Sequence, residues 1–234
     1  MEPTWANITA GGSRGIGIRI SHASLKERQR AERDGWPYFL ALRVHRALSW
    51  LNRSEQCDDD DGRFVFLWVS FNAAYAAETG PMRPIEAQRF SDFLTRLAQL
   101  DERGQLSELI WQRYSSAIRV LLANQYVFQP YWDYQNGLVD SGDWEERFRK
   151  ANAAAHQALG RHDIGAILAI VFARLYTLRN QLLHGGATWN SAVNRDQLRD
   201  GSAILADVVP VLIEIMMDHP AEHWGELCYP VRQG

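Results

Sequence analysis

The sequence feature that most constrains the fold of this chain is a long, uninterrupted helical pattern between residues 164 and 184. Apolar residues recur there every three or four positions and so share one face of a helix: Ile164, Leu168, Val171, Leu175, Leu178 and Leu182. The pattern stops at Gly185 and Gly186, and glycine is the residue that most often follows a helix end. The segment therefore predicts a core helix that other secondary structure must cover.

The same spacing of apolar residues recurs along most of the chain. It predicts further helices over residues 36–54, 64–79, 84–100, 106–127, 143–159 and 191–218, the last of them kinked or eased by a proline. Residues 64–69, FVFLWV, would suit a buried strand alone, but the alanine-rich AAYAAE continues them as helix. We predict an all-α fold of about seven helices. A single helical-bundle domain spans residues 36–234, after a short irregular N-terminal extension over 1–35.

The extension contains a glycine pattern that is similar to a cofactor-binding loop. Gly11, Gly15 and Gly17 form G-x-x-x-G-x-G, as in short-chain dehydrogenases. Such a loop needs a buried strand before it and a helix after it within repeated βαβ units, and the surrounding sequence has neither. The Tyr-x-x-x-Lys pair of those enzymes is also missing at Lys26 and at Lys150. We therefore predict a glycine-rich turn or hairpin, with no cofactor bound.

Composition and charge narrow the classes of function. Apolar residues make up 46% of the chain and aromatic residues 11%, which indicates a folded protein rather than a disordered one. A net charge of −3 argues against nonspecific coating of nucleic acid, although all but two of the 25 basic residues are arginines, which suit phosphate. Cys57 and Cys228 match neither a zinc motif nor a disulfide framework. Without a leader pattern or a long uncharged apolar run, we expect a cytoplasmic protein with no membrane partner.

The helix over 164–184 carries a polar group near its end. Arg179, Asn180 and His184 form R-N-x-x-x-H, and Asn180 lies one turn before His184, within reach of its imidazole. Arg179 lies roughly 140° around the helix from His184, so the two converge only where the helix end unwinds or where a second copy faces the first. From the residues alone, a helix terminus with a capping histidine explains the pattern as well as a catalytic site does.

A polar stripe runs along the same helix. Its members are three or four residues apart: Arg174, Thr177, Gln181 and His184. On an otherwise apolar helix we expect such a stripe to face outward, into a cleft, or toward a partner subunit.

The motif L-R-N-x-L-x-H-G-G at residues 178–186, together with FNAAYA at residues 71–76, resembles the HEPN superfamily of all-α domains. The hallmark of that superfamily is an arginine followed after four to six residues by a histidine, often with a polar residue directly after the arginine. Arg179, Asn180 and His184 fit it residue by residue. The resemblance covers the helical body from about Trp36 to Asp218, and its specificity rests mainly on about ten residues.

The resemblance implies a homodimer in which two such motifs form one composite cleft. Catalytic members are metal-independent ribonucleases of toxin–antitoxin and phage-defence systems, which makes RNA the expected substrate and an antitoxin or other regulatory protein a candidate partner. By this resemblance His184 is the general base or acid, Arg179 holds the phosphate, and Asn180 orients His184 or binds phosphate. No cofactor and no metal are expected. Because many members have lost activity, the alternative is a non-catalytic module that binds a nucleotide or a protein.

Three other features admit both a site and a structural interpretation. The acidic segment 57–62, CDDDDG, is either a solvated loop or a metal site. His219, Glu222 and His223 are either surface residues or metal ligands on one turn. An aromatic-dense run either stacks on nucleobases or belongs to the core or an interface; it comprises Trp111, Tyr114, Tyr126, Phe128, Tyr131, Trp132 and Tyr134.

Overall fold

The computed structural model describes residues 20–75, 86–139, 143–225 and 227. Ten α-helices lie in this part of the chain: α1 His22–Glu32, α2 Tyr38–Glu55, α3 Asp60–Tyr75, α4 Glu86–Leu100, α5 Gln105–Glu108, α6 Ser115–Ala123, α7 Gln129–Gln135, α8 Asp143–Gly160, α9 Ile164–Leu183 and α10 Arg195–Asp218. This confirms the all-α prediction. The glycine pattern at residues 8–18 lies outside the described residues, so the turn predicted there stays a prediction.

The helices outnumber the seven predicted because α1 and α7 were not predicted and because one long pattern contains two α-helices. Residues 106–127 form α5, a π-helical turn over Leu109–Arg113, α6, and a 3-10 turn over Gln125–Val127. The chain leaves helical geometry at Tyr114 (φ −113°, ψ 10°). Further on, the side chain of Asn124 accepts a hydrogen bond from the backbone N–H of Tyr126, which replaces a helical bond by a local turn.

The predicted N-terminal extension contributes a helix to the bundle. In α1, Leu25 is 2% exposed and Gln29 is buried. The backbone N–H of His22 donates to the carboxylate of Glu55 at 2.8 Å, and Arg28 forms a 2.7 Å ion pair with Asp218. Residues 22–32, which the sequence analysis places in the N-terminal extension, thus form a helix that packs on the helical body.

The core is built around α3, which packs most extensively on α2 and α10, while α4 packs on α9. Trp68 and Phe71 of α3 are no more than 1% exposed. The Phe71 ring lies 4.5 Å, centroid to centroid, from Phe172 of α9. A Cβ atom added to Gly165 would lie 3.1 Å from the Thr95 backbone, so this glycine permits the close approach of α9 to α4.

By length and composition, α9 is apolar enough to cross a bilayer, and it is the one such helix among the described residues. In the bundle one face of it is buried instead. Ile167, Leu168, Val171, Leu175 and Leu178 are each at most 2% exposed. The predicted core helix is thereby confirmed, and its last turn carries the polar motif to the surface.

Candidate functional site

The C-terminus of α9 holds His184 at the surface. The backbone N–H of Gly186 donates to the carbonyl of Gln181 at 2.7 Å, and that of Gly185 donates to Leu182 at 3.4 Å. This pair of bonds is a Schellman motif, and Gly185 takes the left-handed conformation that it requires (φ +74°). His184 is the C-cap residue and is exposed, because the helix ends there and the chain turns away.

Beside this helix end lies a cleft of about 640 Å³. One wall comes from α9 and the segment after it, the other from α7 and the turn before it. The lining residues are Tyr126, Gln129, Trp132, Asn136, Thr177, Asn180, Gln181, His184, Gly186, Val193 and Asn194. The lining thus combines two aromatic rings, five side-chain amides and one imidazole, with no Asp, Glu, Lys or Arg among its described residues.

Of the three motif residues, the chain brings two into this cleft. Asn180 and His184 both line it, whereas Arg179 does not. Asn180 nevertheless contacts Arg179, because its Oδ1 atom accepts a 2.9 Å hydrogen bond from Arg179 Nη1. The amide that was predicted to bond the imidazole therefore bonds the guanidinium, and Asn180 stands between Arg179 and the cleft.

Arg179 does not line the cleft and packs beside Tyr176 of α9. Its guanidinium carbon is 5.7 Å from the centre of the Tyr176 ring, and that ring lies 6.0 Å from Trp68 of α3. Arg179 Nε is buried without a hydrogen-bond partner among the described residues, as are Trp68 Nε1 and Asn72 Oδ1. A buried donor without a partner costs free energy, so a hydrogen bond from Arg179 to an added acceptor would be favourable.

The polar stripe on α9 runs from the core to the surface. Arg174 is 3% exposed and Thr177 is 2% exposed, whereas Gln181 is half-buried and His184 is exposed. Thr177, Gln181 and His184 line the cleft, as the prediction allowed, whereas Arg174 lies in the core. Gln181 forms hydrogen bonds to residues on both walls of the cleft. Its Nε2 donates to the Tyr126 carbonyl at 2.6 Å, and its Oε1 accepts from Asn194 Nδ2 at 2.6 Å.

The acidic segment 57–62 supports the segment that follows α9. Asp59 accepts a 2.8 Å hydrogen bond from the Gly62 N–H at the start of α3, and this bond, with a smaller contribution from Trp189, lowers the pKa of the Asp59 carboxyl. Asp61 is 8% exposed and forms a 2.6 Å ion pair with Arg195. The segment thus leads into a helix N-terminus with a partly buried ion pair and is not simply a solvated loop. The ion pair depends on Arg195, which is 134 positions away in the sequence.

The aromatic run is divided between contacts within the bundle and the cleft. Trp111 donates to His162, Tyr114 donates to Asp207, and Phe128 packs on Arg174. Tyr131 and Tyr134 both contact the Trp144 ring, at 5.1 and 6.3 Å between centroids. Only Tyr126 and Trp132 of the run line the cleft.

The C-terminal histidines and Glu222 do not converge. His219 Nδ1 lies 2.9 Å from the Ile215 carbonyl, and Glu222 pairs with Arg96. Within the described ranges, no three His, Cys, Asp or Glu side chains lie close enough to share a metal ion.

A second cavity, of about 530 Å³, lies between the starts of α1 and α3, the end of α2, and α10. Its charged groups are already engaged with protein groups: Arg63 with Asp60, Glu55 with the His22 N–H, and Arg199 with Asp200. The cleft at the end of α9 is the better candidate because its polar groups retain capacity to bind.

Comparison with protein-family models, with curated proteins and with solved structures gives no match to this chain. The functional argument therefore rests on the site residues and their surroundings.

Proposed function

We propose that this protein is a metal-independent endoribonuclease of the HEPN type, a cytoplasmic toxin or phage-defence effector that acts as a homodimer. The observation that carries the proposal is the exposed imidazole of His184 in the wall of a cleft, next to an asparagine that holds Arg179 by a 2.9 Å hydrogen bond. An imidazole for proton transfer beside a guanidinium for phosphate is the pair that cleavage of an RNA backbone requires.

The reaction needs a base, an acid and a positive charge. The ribose 2′-oxygen loses its proton to the base and attacks the adjacent phosphorus. The bond from phosphorus to the 5′-oxygen then breaks, and that oxygen takes a proton from the acid, which leaves a 2′,3′-cyclic phosphate and a 5′-hydroxyl. We assign proton transfer to His184, because imidazole is the side chain that changes protonation near neutral pH. Arg179 stabilises the charge that builds on the phosphate oxygens.

A second copy of the chain completes the site in this proposal. Within one chain Arg179 is held by Asn180 outside the cleft lining that contains His184. Large apolar side chains near the motif are exposed, namely Leu183 at 51%, Trp189 at 74% and Val193 at 63%. Exposed apolar groups beside a site are typical of protein interfaces. A two-fold dimer through this region would bring two arginines and two histidines together, so that the arginine of one chain acts with the histidine of the other.

The second candidate function is a non-catalytic module that binds a nucleotide. The uncharged lining of the cleft favours it, because that lining suits a nucleobase whether or not a phosphodiester is cleaved beside it. The two candidates differ in whether His184 transfers a proton.

RNA cleavage by purified protein in EDTA tests the proposal. We expect wild type to leave cyclic-phosphate ends, and His184→Ala to lose about 10²- to 10⁴-fold in rate, as removal of a general acid or base does. His156→Ala is the matched control, since His156 is exposed on α8 and does not line the cleft. Cleavage that persists in His184→Ala contradicts the role assigned to His184, and cleavage that stops in EDTA contradicts a metal-independent ribonuclease. If a folded dimer cleaves none of a broad set of RNAs, the binding module is favoured.

A further inference from the structure

We propose that the cleft beside His184 binds one unstacked nucleobase of a single-stranded RNA and thereby sets the nucleotide preference of the protein. The inference rests on the proposed function, since it identifies the part of the substrate that occupies the site. It concerns the residues that line the cleft but take no part in proton transfer.

The charge of the cleft lining indicates whether the cleft binds a base or a phosphate. A phosphate group in an enclosed site is normally held by arginine or lysine, or by a helix N-terminus. The described lining has neither cation. Its helix ends are the C-terminus of α9, which carries partial negative charge, the start of the seven-residue α7 at Gln129, and the N-cap of α10 at Asn194, whose first turn contains Asp196. Without a cation in its lining the cleft favours a neutral ligand, and Arg179, bonded to Asn180, marks where the backbone phosphate belongs.

Two aromatic rings supply surfaces for stacking. The Tyr126 ring is 47% exposed although its backbone is fixed: the Tyr126 carbonyl accepts hydrogen bonds from Trp132 Nε1 at 2.8 Å and from Gln181 Nε2 at 2.6 Å. Trp132 is held by the same bond and lines the same cleft. Rings that are positioned in advance and still exposed bind a base at little conformational cost.

Side-chain amides around the rings match the edges of a base. Asn180 Oδ1 is occupied by Arg179, which leaves its Nδ2 as a donor toward the cleft. Gln129 donates through Nε2 to Asp133, and Asn194 donates through Nδ2 to Gln181, so each retains a carbonyl oxygen as an acceptor. These orientations follow from the hydrogen-bond network. A protein donor beside two protein acceptors can form hydrogen bonds with the mixed acceptors and donors along the edge of a nucleobase.

Binding of RNA that cannot be cleaved tests the inference independently of catalysis. The probes are 2′-O-methyl octamers of each base and an abasic octamer of equal phosphate charge, measured by fluorescence anisotropy with the full chain. We expect wild type to bind at least one base-containing octamer ~10-fold or more tightly than the abasic one, and Tyr126→Leu to remove most of that difference. Tyr126→Phe should retain it. Trp50→Leu should also retain it, because Trp50 is a 39% exposed aromatic residue on α2 that does not line the cleft.

The outcomes distinguish this inference from the ribonuclease proposal. Base-dependent binding that Tyr126→Leu removes supports the base site even if no RNA is cleaved. Equal affinity of wild type for base-containing and abasic octamers overturns it even if RNA is cleaved, as does a Tyr126→Leu variant that binds like wild type. If nucleoside monophosphates bind as tightly as any octamer, and Tyr126→Leu abolishes this, the cleft serves a free nucleotide and the RNA assignment is overturned.

Discussion

At the scale of single residues, Arg174 is a charged side chain that lies in the core, where it is 3% exposed. Its guanidinium carbon lies 4.4 Å from the Phe128 ring and 5.2 Å from the Phe148 ring, and burial lowers its pKa to about 10. It therefore stays charged at pH 7. Its Nη2 makes only long hydrogen bonds, of 3.3 Å to Asn152 and 3.5 Å to Leu122, and Nη1 has no partner among the described residues. The charge is thus desolvated with little compensation.

The first prediction concerns the stability of Arg174 variants. Arg174→Met keeps the aliphatic packing and removes the desolvated charge, so we expect a free energy of unfolding within about 1 kcal/mol of wild type or higher. Arg174→Ala leaves a cavity between two phenylalanines and should lose about 2 kcal/mol or more. Urea unfolding at pH 7 measures both. A methionine variant as unstable as the alanine variant would show that the cation–π contacts outweigh the cost of desolvation.

The sequence could place Arg174 on a polar stripe but not in the core. The stripe follows from spacing within α9, whereas the burial depends on Phe128 and Phe148, which come from other parts of the chain. The same limit applies at the motif. Its spacing predicted that Arg179 and His184 diverge on a straight helix, but the Asn180 bond to Arg179 depends on side-chain conformations that spacing does not determine.

At the scale of elements, local signals located most helices well. The predicted helix over 143–159 corresponds to Asp143–Gly160, with acidic residues in its first turn, and the predicted segment 84–100 corresponds to Glu86–Leu100. The helical pattern was misleading where a local bond interrupts it, as at Asn124, and no helix was predicted over Gln129–Gln135, where a short one forms. Pro130 at the first turn of that helix was the signal that could have located it.

The second prediction concerns the N-terminus of α3. Asp59→Ala removes the carboxylate that accepts from the Gly62 N–H, and we expect it to lower the free energy of unfolding at pH 7 by about 1 kcal/mol. Because the pKa of folded Asp59 lies below its ordinary value of 3.8, this stabilisation is present above pH 4 and is lost as the pH falls through the folded pKa.

Urea unfolding at a series of pH values from 7 to about 2.5 checks this sign. The difference between wild type and Asp59→Ala should shrink toward the acid end. Asp59→Asn is the control, since asparagine caps a helix about as well but does not titrate in this range. If the difference in free energy of unfolding between wild type and Asp59→Ala grows as the pH falls, the capping carboxylate is not its source.

At the scale of the whole molecule, the bundle explains why one chain does not complete the proposed site. α9 is fixed on both sides, by the core around α3 and α4 and by the Gln181 bonds to Tyr126 and Asn194. Unwinding its end to bring Arg179 beside His184 would break the Schellman bonds at Gly185 and Gly186. Of the two routes to convergence that the sequence allows, the homodimer that we propose is the one that leaves these bonds intact.

Complementation between two inactive variants tests this central claim most directly. Arg179→Ala and His184→Ala are each expected to be inactive on RNA. After subunit exchange at equal concentrations, half of the dimers contain one of each, and a site that takes arginine from one chain and histidine from the other is restored once in each such dimer. We predict recovery of about a quarter of wild-type cleavage, in EDTA and with cyclic-phosphate ends. A mixture that exchanges subunits yet stays as inactive as either variant alone would contradict the composite site, and a fully active single variant would contradict the assigned role of its residue.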